Sequence, residues 1–139
     1  MTFYATANPQ NQYKQDYVTT ASPVDLVIML YEGCIKQLKL AKIHMESKEP
    51  ARVSECFEKA EEILLELVRS LNLSIPISEN LLELYQFMVD EIVQTGLTND
   101  MERIEPVIEM LTSLSEAWSE VKTQVESGMY MQENEQGVE

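Results

Sequence analysis

Four successive stretches of the chain repeat apolar residues every three or four positions, and short polar connectors separate them. The clearest covers residues 50–71, and its apolar positions are Val53, Phe57, Ala60, Ile63, Leu64, Leu67 and Leu71. This spacing gives a helix one apolar stripe and leaves its other faces charged. No segment shows the two-residue alternation of a half-buried strand. Short links place consecutive helices side by side, so the sequence predicts an all-α, antiparallel four-helix bundle.

Capping residues mark the first two helices. Ser22 suits the N-cap, Pro23 at the first helical position needs no N–H partner, and Asp25 lies in the electropositive first turn. This helix is predicted to run to about Ser47. The second helix is predicted to begin near Pro50.

Residues that start or end helices also delimit the third and fourth helices. Ser78 is predicted to cap the third helix and Gly96 to end it, while the fourth starts near Asn99 or Asp100 and ends at Gly128. The side chains predicted to face inward are Leu81, Leu84, Tyr85, Met88, Ile92 and Val93 in the third helix and Ile104, Val107, Ile108, Leu111, Leu114, Trp118, Val121 and Val125 in the fourth.

Residues outside the helical pattern divide the chain into three parts. Residues 1–21 lack a helical period yet contain Phe3, Tyr4, Tyr13 and Tyr17. Such an aromatic-rich segment predicts an irregular or short-helical N-terminal arm that docks on another surface. The bundle is assigned to residues 22–128, and residues 129–139 are expected to form a flexible tail.

The first helix is more apolar than a surface helix requires. At about 100° per residue, Asp25, Glu32 and Lys36 fall within roughly 40° of one another. The apolar side chains span an arc of about 200°, about twice the stripe that a core requires. The surplus predicts a second contact face, covered by the arm, by a second protein, or by each in turn.

The acidic balance of the chain excludes several classes of partner. The formal net charge is −14, and residues 49–139 alone carry five basic and twenty acidic residues. Nucleic acids and anionic membrane surfaces attract clustered lysine and arginine, so neither is predicted as a partner. The longest apolar run is Leu26–Tyr31, far too short for membrane insertion.

Cysteine usage and the N-terminal residues predict a cytoplasmic protein. There is no charged region followed by an apolar run at the N-terminus, so no secretory signal is predicted. Cys34 and Cys56 lie in apolar helix patterns without CxxC spacing. Reduced, buried thiols are the favoured interpretation, and a disulfide between them stays the alternative.

Catalytic and metal-binding patterns are missing from the sequence. Di-iron carboxylate bundles use Glu-x-x-His pairs. The single histidine of this chain is His44, and the residue three positions before it is Ala41 rather than a glutamate. Phosphate-binding glycine loops, nucleophile elbows and Cys/His metal motifs are also missing. The sequence therefore predicts no enzyme activity, no cofactor and no metal.

One block of the sequence matches a family pattern. The stretch NQYKQDYVTTASPVDLVIMLYEGCIKQLKLA (residues 11–41) resembles the signature of the FliS family, the flagellar secretion chaperones for flagellin. The matching positions are Asn11, Tyr13, Val18, Thr20, Ala21, Ser22, Pro23, Leu26, Met29, Leu30, Tyr31, Glu32 and Gly33. Further similarity occurs in KAEEILLEL (59–67) and NLLELYQFM (80–88), so the resemblance covers about residues 8–122.

The resemblance implies a bacterial, cytoplasmic chaperone of the flagellar type III secretion system. Such a protein binds the disordered C-terminal segment of flagellin, prevents premature polymerisation and delivers the client to the export gate, with the segment around Tyr13 in contact with its partner. Together with the surplus apolar face, it gives these predicted partner-binding residues: Tyr13, Tyr17, Val18, Leu26, Ile28, Met29, Tyr31 and Ile35. The alternative function is a self-assembling structural bundle that uses the surplus face as a homodimer seam.

Overall fold

The computed structural model describes residues 23–138 and their side chains as far as residue 128. Four α-helices make up this part of the chain: α1 (Pro23–Glu46), α2 (Pro50–Arg69), α3 (Pro76–Thr98) and α4 (Ile104–Val138), with a 3₁₀ turn at Met101–Arg103. No strand occurs between residues 23 and 138. The prediction of an all-α four-helix bundle is confirmed.

Ion pairs at opposite ends of α1 show how it lies against α4. Near its start, the Asp25 carboxylate pairs with Lys122 at 2.7 Å, late in α4. Near its end, Lys42 pairs with Glu105 in the first turn of α4. Because early residues of one helix meet late residues of the other, α1 and α4 are antiparallel.

The helices follow one another around the bundle. Helix α1 packs between α2 and α4, and α3 packs on α2, on α4 and on the 3₁₀ turn. The approach of α1 to α2 is close, since a Cβ added to Gly33 would lie 3.5 Å from Cδ1 of Ile63. Helices α1 and α3 therefore lie diagonally across the core.

The first two helices have the predicted bounds to within two residues, whereas α3 differs at both ends. It starts at Pro76 after Ile75, whose extended backbone (φ −94°, ψ 125°) serves as the N-cap, so Ser78 does not cap the helix. It continues past Gly96 to Thr98 and ends at Asn99, whose left-handed φ of 60° lets its N–H donate to the Thr95 carbonyl. Asparagine tolerates this conformation and replaces glycine as the terminating residue.

Helix α4 is longer than the sequence pattern indicated. The predicted start near Asn99 or Asp100 is confirmed, because the 3₁₀ turn that leads into α4 begins there. The Asp100 side chain caps this turn by accepting a hydrogen bond from the Glu102 N–H. The predicted end at Gly128 is wrong, because α4 continues to Val138. Gly128 has no positive φ, and a glycine ends a helix mainly by adopting one. The division into arm, bundle and tail stays a prediction.

The core draws side chains from all four helices. Its fully or nearly fully buried apolar members are Tyr31, Cys34, Leu38, Ala41, Val53, Cys56, Phe57, Ala60, Leu64, Leu67, Tyr85, Met88, Ile92, Ile104, Val107, Ile108 and Leu111. Most of the inward-facing predictions are confirmed, either in this set or in the half-buried shell around it. Three are wrong: Val93, Val121 and Val125 are exposed.

The two cysteines are free thiols in the core, so the disulfide alternative is excluded. The Cys34 thiol lies 3.7 Å from the carbonyl oxygen of Ala60. Burial raises the pKa of Cys34 to about 12, which keeps the sulfur protonated and unreactive near neutral pH.

Candidate functional site

The two ends of the bundle have different construction. At one end, which we call the closed end, residues 47–49 join α1 to α2 and residues 99–103 join α3 to α4. At the other, which we call the open end, α1 starts, residues 70–75 join α2 to α3, and α4 runs on past its neighbours. Much of the exposed apolar surface lies at the open end.

Helix α4 extends beyond the start of α1 at the open end. Lys122 already pairs with Asp25 in the first turn of α1, yet α4 continues through residue 138. Val125 follows the half-buried Trp118 at heptad spacing and so points to the same side of the helix. It is nevertheless 50% exposed, because the bundle no longer covers this side of α4.

The α2–α3 connector and the first turn of α3 add three large apolar side chains to the same end. Leu73, Ile75 and Ile77 are 58%, 48% and 61% exposed. The connector is held by its own hydrogen bonds: the Asn72 side-chain oxygen accepts from the Ser74 backbone N–H at 3.1 Å, and the Asn72 carbonyl accepts from the Ile75 N–H at 3.0 Å. Sequence reasoning treated this stretch only as a linker, although its apolar content was a visible signal.

The start of α1 contributes apolar surface of its own. The segment Pro23–Leu30 contains six apolar side chains after the proline, and none of them is fully buried. Among the predicted partner-binding residues, Leu26, Ile28 and Met29 are half-buried, and Ile35 is half-buried while packing against the core.

These α1 residues lie on two edges of the helix. At about 100° per residue, Leu26 lies close to Gly33, on the side that approaches α2. Ile28 and Ile35 lie on the side of Lys42, which pairs with α4. The core occupies the middle of the apolar arc, so the surplus forms two shoulders rather than the single second face that the sequence suggested.

Tyr31 lies in the hydrophobic core beneath the open end. Its side chain is fully buried, and its hydroxyl shares a 2.6 Å hydrogen bond with that of Tyr85 across the bundle. The two ring centroids are 6.3 Å apart, and half-buried Trp118 packs against the same core. Tyr31 is therefore a core residue of the described bundle, and its predicted contact with a partner stays a prediction.

The buried tyrosine pair is neutral at physiological pH. Burial raises the pKa of Tyr31, and the hydrogen bonds from Tyr85 and Trp118 offset part of that rise. Burial, followed by the hydrogen bond to Tyr31, raises the pKa of Tyr85 well above its usual range. Each hydroxyl thus has a hydrogen-bond partner, as a buried phenol requires.

The remaining predicted residues, Tyr13, Tyr17 and Val18, lie outside the described residues and stay predictions. Within residues 23–128, the histidine, cysteine and acidic side chains form no group of three or more that could hold a metal ion. In the described part of the chain, no helix combines the length and the apolar character needed to cross a membrane. What the open end offers chemically is apolar contact surface.

Comparison with known proteins gives a consistent set of matches. The family model described as flagellar protein FliS matches residues 6–125. The flagellar secretion chaperone FliS of Bacillus subtilis (strain 168) is 34% identical over 116 residues, which cover 84% of this chain and 87% of the relative. Its counterpart in Salmonella typhimurium is 32% identical over 107 residues, covering 75% and 79%.

A solved structure has the same fold. The crystal structure described as a flagellar chaperone from bacteria superposes with a TM-score of 0.71, at 24% identity, over 84% of this chain and 99% of the other.

Proposed function

The chain belongs to the FliS family of flagellar secretion chaperones, and from this premise we propose that it binds the disordered C-terminal segment of flagellin in the bacterial cytoplasm. Binding holds the client unpolymerised, and the complex is then delivered to the export gate of the flagellar type III system. The role is non-enzymatic and rests on protein–protein contact alone.

One observation carries the proposal: three separate elements expose apolar side chains at the open end. The connector contributes Leu73 and Ile75, the first turn of α3 contributes Ile77, and α4 contributes Val121 and Val125. The half-buried shoulders at the start of α1 lie at the same end of the bundle. Exposed apolar side chains gathered at one end of a charged protein are typical of an interaction site.

The energetics suit a disordered client. Fully burying one Leu, Ile or Val side chain contributes about 1.5–3 kcal/mol, so several contacts are needed to offset the cost of ordering a flexible chain. A segment that lays apolar side chains along the α1 shoulders and across the connector would make enough of them, in the manner of a helix docked in a groove.

A titration with a flagellin C-terminal peptide from the same organism tests this site. We expect the double change Ile75→Ser, Ile77→Ser to weaken binding at least tenfold. Serine is a favourable N-cap, so Ile75→Ser at the start of α3 preserves the helix. The matched control is Ile43→Ser, which removes an isoleucine of similar exposure from α1 near the closed end of the bundle. Equal affinities of wild type and the double variant would refute the proposed site.

The N-terminal arm enters as a second test. We propose that residues 1–17 cover part of the open end in the free protein and leave it when the client binds. Deleting them should expose more apolar surface, measured by a solvatochromic dye, and should change the affinity for the flagellin peptide. Unchanged dye binding together with unchanged affinity would rule out a displaceable arm.

The homodimer alternative uses the same exposed side chains. Sedimentation of the full-length protein at micromolar concentration, with and without the flagellin peptide, separates the two functions. A chaperone is expected to form a complex with the peptide, whereas a structural dimer stays a dimer in its presence.

A further inference from the structure

The closed end contains a cleft that the proposed client site does not use. It has a volume of about 390 Å³ and lies where the α1–α2 connector meets the end of α3. Met45, Val53 and Phe57 form its apolar lining, and Lys48 and Glu49 lie at the α1–α2 turn beside it.

A missing side chain keeps this cleft open. Gly96 of α3 lines it, and a Cβ at this position would be 3.9 Å from the Phe57 ring, an ordinary van der Waals distance. Gly96 is exposed and has no positive φ, so the helix would accept other residues there. A large side chain at position 96 would extend into the cleft and fill it.

An apolar strip continues from the cleft along α3. Leu97, next to Gly96, is 74% exposed, and Val93 one turn earlier is also exposed. Leu97 is the most exposed large apolar side chain in the described part of the chain. The cleft and the strip together give a concave anchor site with an adjoining apolar edge.

The facing edge of α2 is acidic. Glu61 lies one helical turn after Phe57, and Glu58 one turn after Ser54, which also lines the cleft. Neither carboxylate forms a salt bridge with any described residue, whereas Glu49 and Glu66 pair with arginines of α2. Burial, and then the charge of Glu58, raises the pKa of Glu61, as expected for a carboxylate without a cation beside it.

We propose that the cleft and the Val93–Leu97 strip bind an amphipathic helix of a partner protein. One large apolar side chain of that helix enters the cleft beside Gly96. The strip covers part of its apolar stripe, and a lysine or arginine at the edge of the stripe pairs with Glu61. A groove between two helices suits a third helix, and the unpaired carboxylates select a basic one.

The cleft is well separated from the proposed client site. Met29 and Met45 mark the two positions on α1, and the sixteen helical steps from one to the other span about 24 Å. A client at the open end therefore leaves the cleft accessible, so the protein can hold two partners at once. This inference does not depend on the identity of the client.

The experiment uses two synthetic 18-residue helical peptides with the same leucine stripe and one phenylalanine anchor, one carrying lysines and the other glutamates on its polar face. Each is titrated into the ¹⁵N-labelled full-length protein. We expect the lysine peptide to bind at least tenfold more tightly and to shift the amide signals of Gly96 and Leu97. Gly96→Phe should weaken this binding at least tenfold, while Gly96→Ala stays within twofold of wild type.

A second pair of variants tests how much the negative charge of Glu61 contributes to binding. Glu61→Gln should weaken the lysine peptide about three- to tenfold, and Glu55→Gln, an exposed acid of α2 with the same change of charge, less than twofold. Equal effects of the two variants would mean general attraction to an acidic protein and would overturn the site. Signal changes confined to Ile75 and Ile77 would also overturn it.

Folding of the variants is checked by circular dichroism and thermal unfolding. If Gly96→Phe does not fold, the double change Val93→Ser, Leu97→Ser replaces it, because both side chains are exposed. Unimpaired binding of the lysine peptide to a folded strip variant refutes the proposal. The two proposals fail separately, since the client titration is read at Ile75 and Ile77 and this one at Gly96 and Leu97.

Discussion

The closed and open ends of the bundle use the same helices and similar residues, yet they treat apolar side chains differently. In α4, Val107 near the closed end is fully buried, whereas Val125 near the open end is half exposed. The residue type and the helix are the same. The difference comes from the neighbours: α1 and α3 flank the first half of α4, and α4 extends past the start of α1.

An apolar side chain in a bundle is thus structural only where a neighbouring helix reaches it. Elsewhere it is available for contact with another chain, and at the open end such side chains come from three elements. Substitutions at the two ends should consequently separate stability from binding. The following predictions test that separation.

The largest difference is expected between two isoleucines. Ile104 is fully buried at the closed end, and Ile77 is 61% exposed at the open end. We expect Ile104→Ala to lower the free energy of unfolding by about 2–5 kcal/mol, because it leaves a cavity. Ile77→Ala should change it by about 0.5 kcal/mol or less. Urea unfolding of both variants measures the difference, and similar costs would contradict the distinction between the ends.

The tyrosine pair beneath the open end should give an intermediate effect. Tyr85→Phe leaves the buried Tyr31 hydroxyl without its 2.6 Å partner, and we expect a loss of about 1–3 kcal/mol in unfolding free energy. The double change Tyr31→Phe, Tyr85→Phe removes both polar groups and should cost less than the sum of the single changes. Strict additivity in this double-mutant cycle would show that the hydrogen bond contributes nothing.

Alkaline pH should weaken the core through the same groups. Burial raises the pKa values of Tyr31, Tyr85 and Cys34 in the folded state above those of the unfolded chain. The folded state therefore holds these protons more strongly, and their contribution is complete below about pH 9 and falls as the pH rises further. Each group lowers the unfolding free energy by up to about 1.4 kcal/mol per pH unit over that range.

Urea unfolding at pH 8, 10 and 11 measures this dependence. We expect Tyr31→Phe, Tyr85→Phe and Cys34→Ala, combined in one variant, to flatten the curve above pH 9. An equally steep decline in the triple variant would assign the alkaline sensitivity to other groups.

The smallest effect is expected for the ion pair that joins α1 to α4 at the closed end. Lys42 and Glu105 are 40% and 45% exposed, so solvent screens their attraction. Glu105→Gln should cost about 0.2–1 kcal/mol at low salt and less at high salt. Glu109→Gln, an exposed acid one turn later, is the control. A salt-independent loss above that range would show that packing, rather than charge, fixes this contact.

Much of the fold could be predicted from the sequence because helix period and capping are local properties. The α2 stripe shows this most clearly: Val53, Phe57, Ala60, Leu64 and Leu67 are all buried as predicted. Errors occurred where the local signal was incomplete. Gly128 looked like a helix end, yet a glycine terminates a helix only if the following chain turns away, and here α4 continues.

The candidate site was only partly predictable. The surplus of apolar residues in α1 predicted partner contacts for Leu26, Ile28 and Met29, and the structure leaves all three half-buried while the contacts stay a prediction. Tyr31 has the same apolar surroundings in sequence but pairs with Tyr85, which lies far away along the chain. No periodicity within α1 indicates that partner, because the pairing depends on where α3 lies.

By itself, the sequence determined which segments are helical, which stripe of each helix is apolar, and the family signature of residues 11–41. These follow from backbone propensity and the 3.6-residue period, which act over a few neighbouring residues. Only the tertiary structure decided where the helices stop covering one another. That register leaves Leu73, Ile75 and Ile77 exposed at one end and the Gly96 cleft at the other, because burial depends on distant neighbours that a local pattern does not encode.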